Sequence, residues 1–112
     1  MVSDIIAAMA GVVPLDMVFL GNGAIKKPSD EHVTIVEQET EDAFEADNVT
    51  VQTARYMDVN IFLRGDYQAR VRRAYAQLRE SFIVDDRRYV AYEDDVGLHH
   101  YVISVIENNL EE

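Results

Sequence analysis

The sequence has no cysteine, which excludes disulfide bonds and thiol chemistry and accords with a reducing compartment. It has no long apolar run near its start: the stretch from Ile5 to Val13 is far too short to cross a bilayer. The opening "MVSDIIAAMAGVV" lacks a basic segment before that run and carries Asp4 early, so no signal peptide is expected and no membrane association. The expected setting is a cytosol, or a particle assembled in one. Basic residues are scarce, 10 Lys and Arg against 21 Asp and Glu, and a net charge of −11 argues against broad, sequence-independent phosphate binding. Glycine-rich phosphate loops are missing as well: "GNGAIKK" lacks the lysine spacing of a nucleotide-binding loop and reads as an ordinary loop. Ser3, Ser29, Ser81 and Ser104 have no nucleophile-elbow context. There is no internal repeat and no low-complexity stretch.

What is present describes a folded domain. With 48% apolar and 28% charged residues the composition is that of a soluble globular chain. Its 112 residues suit one domain, 1–112, able to bury roughly two thirds of its unfolded surface. Charge is unevenly spread. Residues 1–48 hold ten acids and two bases, Lys26 and Lys27, whereas residues 66–88 hold six arginines and four acids. Such a separation allows copies of one molecule to meet head to tail.

Along the chain, Ser3 is a candidate N-cap for a short helix favoured by Asp4 and ended by Gly11 and Pro14. A short apolar strand, Met17 to Leu20, precedes a loop punctuated by Gly21, Asn22, Gly23 and Pro28. Alternation around Val33 and Ile35 predicts a strand, followed by an acidic segment; eight carboxylates fall between Asp30 and Asp47, and "EADN" closes the segment as a turn. The strongest strand signal is "NVTVQTARYMDVNIFLRG". Val49, Val51, Thr53, Met57, Val59, Ile61 and Leu63 share one parity, with a bend, bulge or turn expected near Thr53–Arg55. Gly65 ends that strand and Asp66 is expected to cap an amphipathic helix. Tyr67, Val71, Ala74, Tyr75, Leu78 and Phe82 form the helix's apolar stripe. Two more strands, around Arg88–Tyr92 and Leu98–Ile106, flank a turn containing Asp94, Asp95 and Gly97, and the tail from about 107 to 112 is expected to fray. The order α-β-β-β-α-β-β predicts an α+β fold, a mostly antiparallel or mixed sheet with two helices packed on one face.

The segment "YEDDVGLHHY" could be a metal or acid–base site. Adjacent histidines on a strand point to opposite faces, so His99 and His100 cannot share one ion there, His32 is distant in sequence, and "EDDVG" is too short for a calcium loop. The expectation is a charged hairpin turn. The acids from Asp30 to Asp47 lie in polar surroundings, which favours solvated faces over a displaced carboxyl pair. No catalytic residue, metal or cofactor is expected. Arg70, Arg72, Arg73 and Arg79 admit three readings: phosphate contacts, a solvated helix face, or pairing with carboxylates of a neighbouring copy. The charge asymmetry favours the third over nucleic acid. Candidate subunit-interface residues are therefore these four arginines with Glu37, Glu39, Glu41 and Asp42, and Asn22, Lys26 and Lys27 lie in a candidate docking loop. Six tyrosines, Tyr56, Tyr67, Tyr75, Tyr89, Tyr92 and Tyr101, are many for one small domain, and interfaces favour them.

Several phrases carry a resemblance: the turn "ADN" at Ala46–Asn48, the strand "YMDVNIFLRG" feeding an amphipathic helix, and the hairpin "YVAYEDDVGLHHYVISVIE". From about Met17 to Asn108 the chain resembles the small tail-terminator, or tail-completion, proteins of long-tailed bacteriophages and prophages. The resemblance implies a non-catalytic virion protein, assembled in the host cytoplasm and located in the neck. Its expected form is a homo-oligomeric, hexameric ring that caps the tail tube and joins it to the head–tail connector, with DNA passing through the lumen unbound. Alternatives are a head-completion or connector protein, or a small acidic binding module such as a DNA mimic or inhibitor.

Overall fold

The computed structural model describes residues 2–21, 30–38 and 55–107. Within them the chain runs α1 (Val2–Ala8), β1 (Val18–Leu20), β2 (His32–Gln38), β3 (Arg55–Leu63), α2 (Gln68–Ser81), β4 (Ile83–Glu93) and β5 (Leu98–Glu107). Two single 3₁₀ turns, Met9–Gly11 and Leu15–Met17, carry the chain past Pro14 from α1 to β1. The strands form one sheet in the order β1-β2-β3-β5-β4. β1 is parallel to β2 and every other pair is antiparallel, so the sheet is mixed and the fold is α+β.

Period 2 in β3 becomes a buried row. Met57, Val59, Ile61 and Leu63 are almost wholly withdrawn from water. In register, Ile61 stands between Val33 of β2 and Tyr101 of β5, and Val59 between Ile35 and Ile103. Ile5 and Met9 from the first helical segment and Val71, Ala74 and Leu78 from α2 close over this row, which places both helices on one face. The α2 residues are spaced by three and four, the period that keeps a helix stripe on one side. Each large apolar side chain so buried contributes about 1.5–3 kcal/mol. The opposite face is also partly buried, at His32, Thr34, Leu98 and Val102.

Three local expectations are corrected. Ser3 lies inside α1 rather than capping it, because the helix already starts at Val2. The N-cap of α2 is Tyr67, with no side-chain cap bond; Asp66 sits one residue earlier, just after Gly65 turns the chain with φ of 67°. β4 begins at Ile83, directly after α2, five residues before the expected Arg88. Its alternation is broken because Asp85 and Val90 are the extra residues at two β-bulges against β5, which shift the parity of everything between them. Expectations for residues 49–54, the "EADN" turn and the tail beyond Glu107 lie outside the described residues.

Candidate functional site

The β4–β5 hairpin closes as a turn in which the Gly97 and Val96 amides both donate to the Glu93 carbonyl, at 2.8 and 3.2 Å. Gly97 has φ of 72°, a left-handed conformation that glycine adopts without a Cβ penalty. Beyond the turn the two histidines part, as strand geometry requires. His99 lies on the helix-covered side, stacked on Tyr67 with ring centroids 4.5 Å apart, and its Nδ1 is 3.0 Å from Tyr89 Oη. His100 lies on the other side. Its ring stacks on Phe62 at 4.2 Å, and the opposite face of Phe62 stacks on His32 at 4.4 Å. A phenyl ring thus separates the two sequence-distant histidines, and among the described residues no group of three His, Cys, Asp or Glu is placed to hold a metal ion.

The polar atoms of this second face are paired. His32 Nδ1 donates to the Asp30 carbonyl at 2.7 Å, and His100 Nε2 donates to Asn60 Oδ1 at 2.9 Å. Asp58 accepts from Gln38 Nε2 at 2.9 Å and from Ser104 Oγ at 2.6 Å, linking three adjacent strands. Burial pushes the His100 pKa below the ordinary 6.5; Glu93, whose Oε2 lies 3.8 Å from Nδ1, opposes that shift, while His32 and Arg88 add to it. The folded state therefore disfavours the charged ring. Stability from this group is complete above about pH 6.5, and falls as acid protonates the unfolded chain preferentially. In an NMR titration His100 is expected to have its midpoint below 6.5, and Glu93→Gln to lower it further by removing the carboxylate that favours the cation. A midpoint at or above 6.5 in the native protein would contradict this environment.

The arginines of α2 divide by their spacing. Arg70 is engaged within the chain: Nη1 and Nη2 donate to the two Glu31 carboxylate oxygens at 2.9 and 2.7 Å, and Glu31 also accepts from the Arg64 amide at 2.8 Å. This planar, bidentate arrangement holds the Glu31 carboxyl below the ordinary carboxylate range, with the Arg70 hydrogen bonds as the main cause. Arg73 is exposed, with its stem passing close to Gly11. Arg72, Tyr75 and Arg79 share the opposite stripe at i, i+3 and i+7. The Arg79 guanidinium lies 5.4 Å from the Tyr75 ring centre, and Arg87 of β4 lies over the same ring at 3.8 Å. The outcome is a cationic strip on one tyrosine, along the β4 side of α2.

Of the candidate interface acids, Glu37 is exposed on β2, while Glu39, Glu41 and Asp42 lie outside the described residues, as do Asn22, Lys26 and Lys27. The structure thus places Arg79 and, from outside the expected set, Arg87 against one tyrosine, leaves Arg72 exposed on the same helix stripe, and turns Arg70 toward Glu31. The Arg87 contribution had no signal in the sequence until β4 was known to start at Ile83. The Phe62 sandwich likewise depends on the register His32–Phe62–His100, which no local pattern encodes. Among the described residues no helix is long and apolar enough to cross a membrane. The sequence matches no protein-family model and no curated protein.

Proposed function

We propose that this chain is an assembly protein of the bacteriophage neck, a tail terminator whose copies form a hexameric ring that caps the tail tube and joins it to the head connector. The role is structural rather than catalytic, its place is the virion, and its partners are further copies of itself, the tube protein and the connector. DNA passes through the lumen without specific contacts. The reading starts from the family resemblance over Met17–Asn108. The observation that supports it best is the exposure of Arg72, Arg73 and Arg79 on the outer surface of α2, in a chain whose net charge is −11. Cations displayed on an otherwise acidic molecule suit carboxylates of another copy, and a heterologous contact closes into a ring when its rotation permits.

Light scattering across a concentration series is the test. A ring gives a mass near six times the 12.8 kDa of the chain. Reversing Arg72 and Arg73 to Glu is expected to shift the protein toward monomer while circular dichroism stays unchanged. Assembly at full strength in that folded variant rules out these arginines as the contact. A native monomer that also fails to bind added tail tubes, and instead binds a basic partner in a strongly salt-dependent way, identifies an acidic binding module instead.

A further inference from the structure

The chain has 21 acids to 10 Lys and Arg, so a guanidinium has many carboxylates within its own molecule to choose from. Arg70 takes Glu31 and Arg88 takes Asp86, at 2.7 and 2.6 Å. Arg79 and Arg87 take none among the described residues. Each lies instead against the ring of Tyr75, at 5.4 and 3.8 Å from its centre. The two guanidiniums can therefore be no further apart than those distances combined.

They reach that ring from different elements. Arg79 follows Tyr75 by one turn of α2, while Arg87 stands on β4 opposite Ile103, on the helix-covered side of the sheet. The acids of β4 lie elsewhere. Asp86 stands opposite Ser104 and pairs with Arg88 on the other face, and Glu93 approaches His100 on that face too. Asp94 and Asp95 close the far end of the hairpin, about 20 Å along the strand from Arg87. Asp85 and Glu80 are nearer in sequence, yet neither forms an ion pair with Arg79 or Arg87. Two like charges thus share one half-buried ring, with both arginines exposed. Guanidiniums so placed repel each other, and an anion bound between them removes that cost.

We infer that Arg79 and Arg87, set on either element beside Tyr75, form a binding site for the carboxylates of an acidic protein segment. The planar fork of each arginine matches the two oxygens of a carboxylate. Acidic side chains two residues apart on an extended peptide stand about 7 Å apart, a spacing that two guanidiniums on one ring can meet. Arg72, exposed on the same stripe of α2, extends the site along the helix. A nucleic acid fits less well, because a continuous polyanion needs a run of cations and this molecule carries a net charge of −11. The site stands on this geometry and does not depend on the ring reading.

The test is an NMR titration of the full chain with an acetylated peptide of alternating glutamate and serine, following the Tyr75 ring and the arginine Nε–H signals. Saturable shifts at Tyr75, Arg79 and Arg87 are expected, with affinity falling as salt is raised. Arg87→Gln and Arg79→Gln should each weaken binding several-fold. Arg73→Gln serves as the control, since Arg73 lies toward Gly11 on another side of α2, and it should bind as the native protein does. Should Arg87→Gln disturb β4, Arg79→Gln reads the same site from the helix. No shift at these residues overturns the site, as does an equal loss in Arg73→Gln, which would mean diffuse charge attraction. Tighter binding of an oligothymidylate of equal charge overturns the choice of ligand in favour of nucleic acid. Light scattering separates this result from the ring: a monomer that binds the peptide sustains the site alone, and a ring that ignores it sustains the ring alone.

Discussion

Leu78→Ala is expected to destabilise the protein by about 3 kcal/mol, within the roughly 2–5 kcal/mol typical of buried leucine truncations. Leu78 is fully buried, in the stripe by which α2 closes over the sheet. Alanine is the best helix former, so the substitution does not weaken the helix itself. The loss therefore reports packing: transfer of the missing methyl and methylene groups, plus the cavity they leave between α2 and the strands. Urea unfolding is the measurement. A lower midpoint with an unchanged slope is expected, because the folded and unfolded surfaces hardly differ. A cost below about 1 kcal/mol would mean that α2 settles onto the sheet without Leu78, contrary to the burial seen here.

The second large effect is expected at Glu31. Its carboxylate accepts three hydrogen bonds, two from Arg70 and one from the Arg64 amide, with both side chains of the ion pair 29% exposed. The contact spans the start of β2, the end of β3 and the first turn of α2, so it fastens helix to sheet at one corner. Glu31→Ala removes the acceptor and leaves Arg70 to the weaker carbonyl contacts with Val12 and Arg64, each at 3.4 Å. Charge-assisted hydrogen bonds carry about 1.5–3 kcal/mol each when well formed, and partial exposure and cooperation among them bring the net expectation to about 2 kcal/mol. The pH dependence gives this prediction its signature. The folded-state pKa of Glu31 lies below the ordinary 4.5, so its stabilisation is complete above about pH 4.5 and is lost as pH falls through the folded value. Wild type and Glu31→Ala should differ most near neutrality and converge in acid. A gap that stayed constant from pH 7 to pH 3 would assign the loss to packing rather than to the carboxylate.

Much of the architecture was legible in the sequence because local physics dominated there. The parity of Met57 to Leu63 and the stripe Val71, Ala74, Leu78 each encode one buried face, and each is realised. The hairpin followed from Asp94, Asp95 and Gly97. β4 was only half legible. Two bulges break the period-2 pattern on which a strand is recognised, so its first five residues were missed. The candidate site was less legible still. Arg70 looked like one more surface arginine on α2. Only the fold brings Glu31, distant in sequence, within reach of its fork. In the same way, the grouping of Arg87 with Tyr75 depends on how β4 lies beside α2, which hydrophobic patterning does not specify.

That strand order also governs how the protein is made. β5, the last strand among the described residues, lies between β3 and β4 in the sheet. While the chain is being synthesised, β3 and β4 cannot pair with each other in the native manner, and each waits with an open edge until residues 98–107 leave the ribosome. The sheet is therefore completed by insertion from the C-terminal side, not extended strand by strand. Contacts that join residues so far apart in sequence make folding slower than local pairing does.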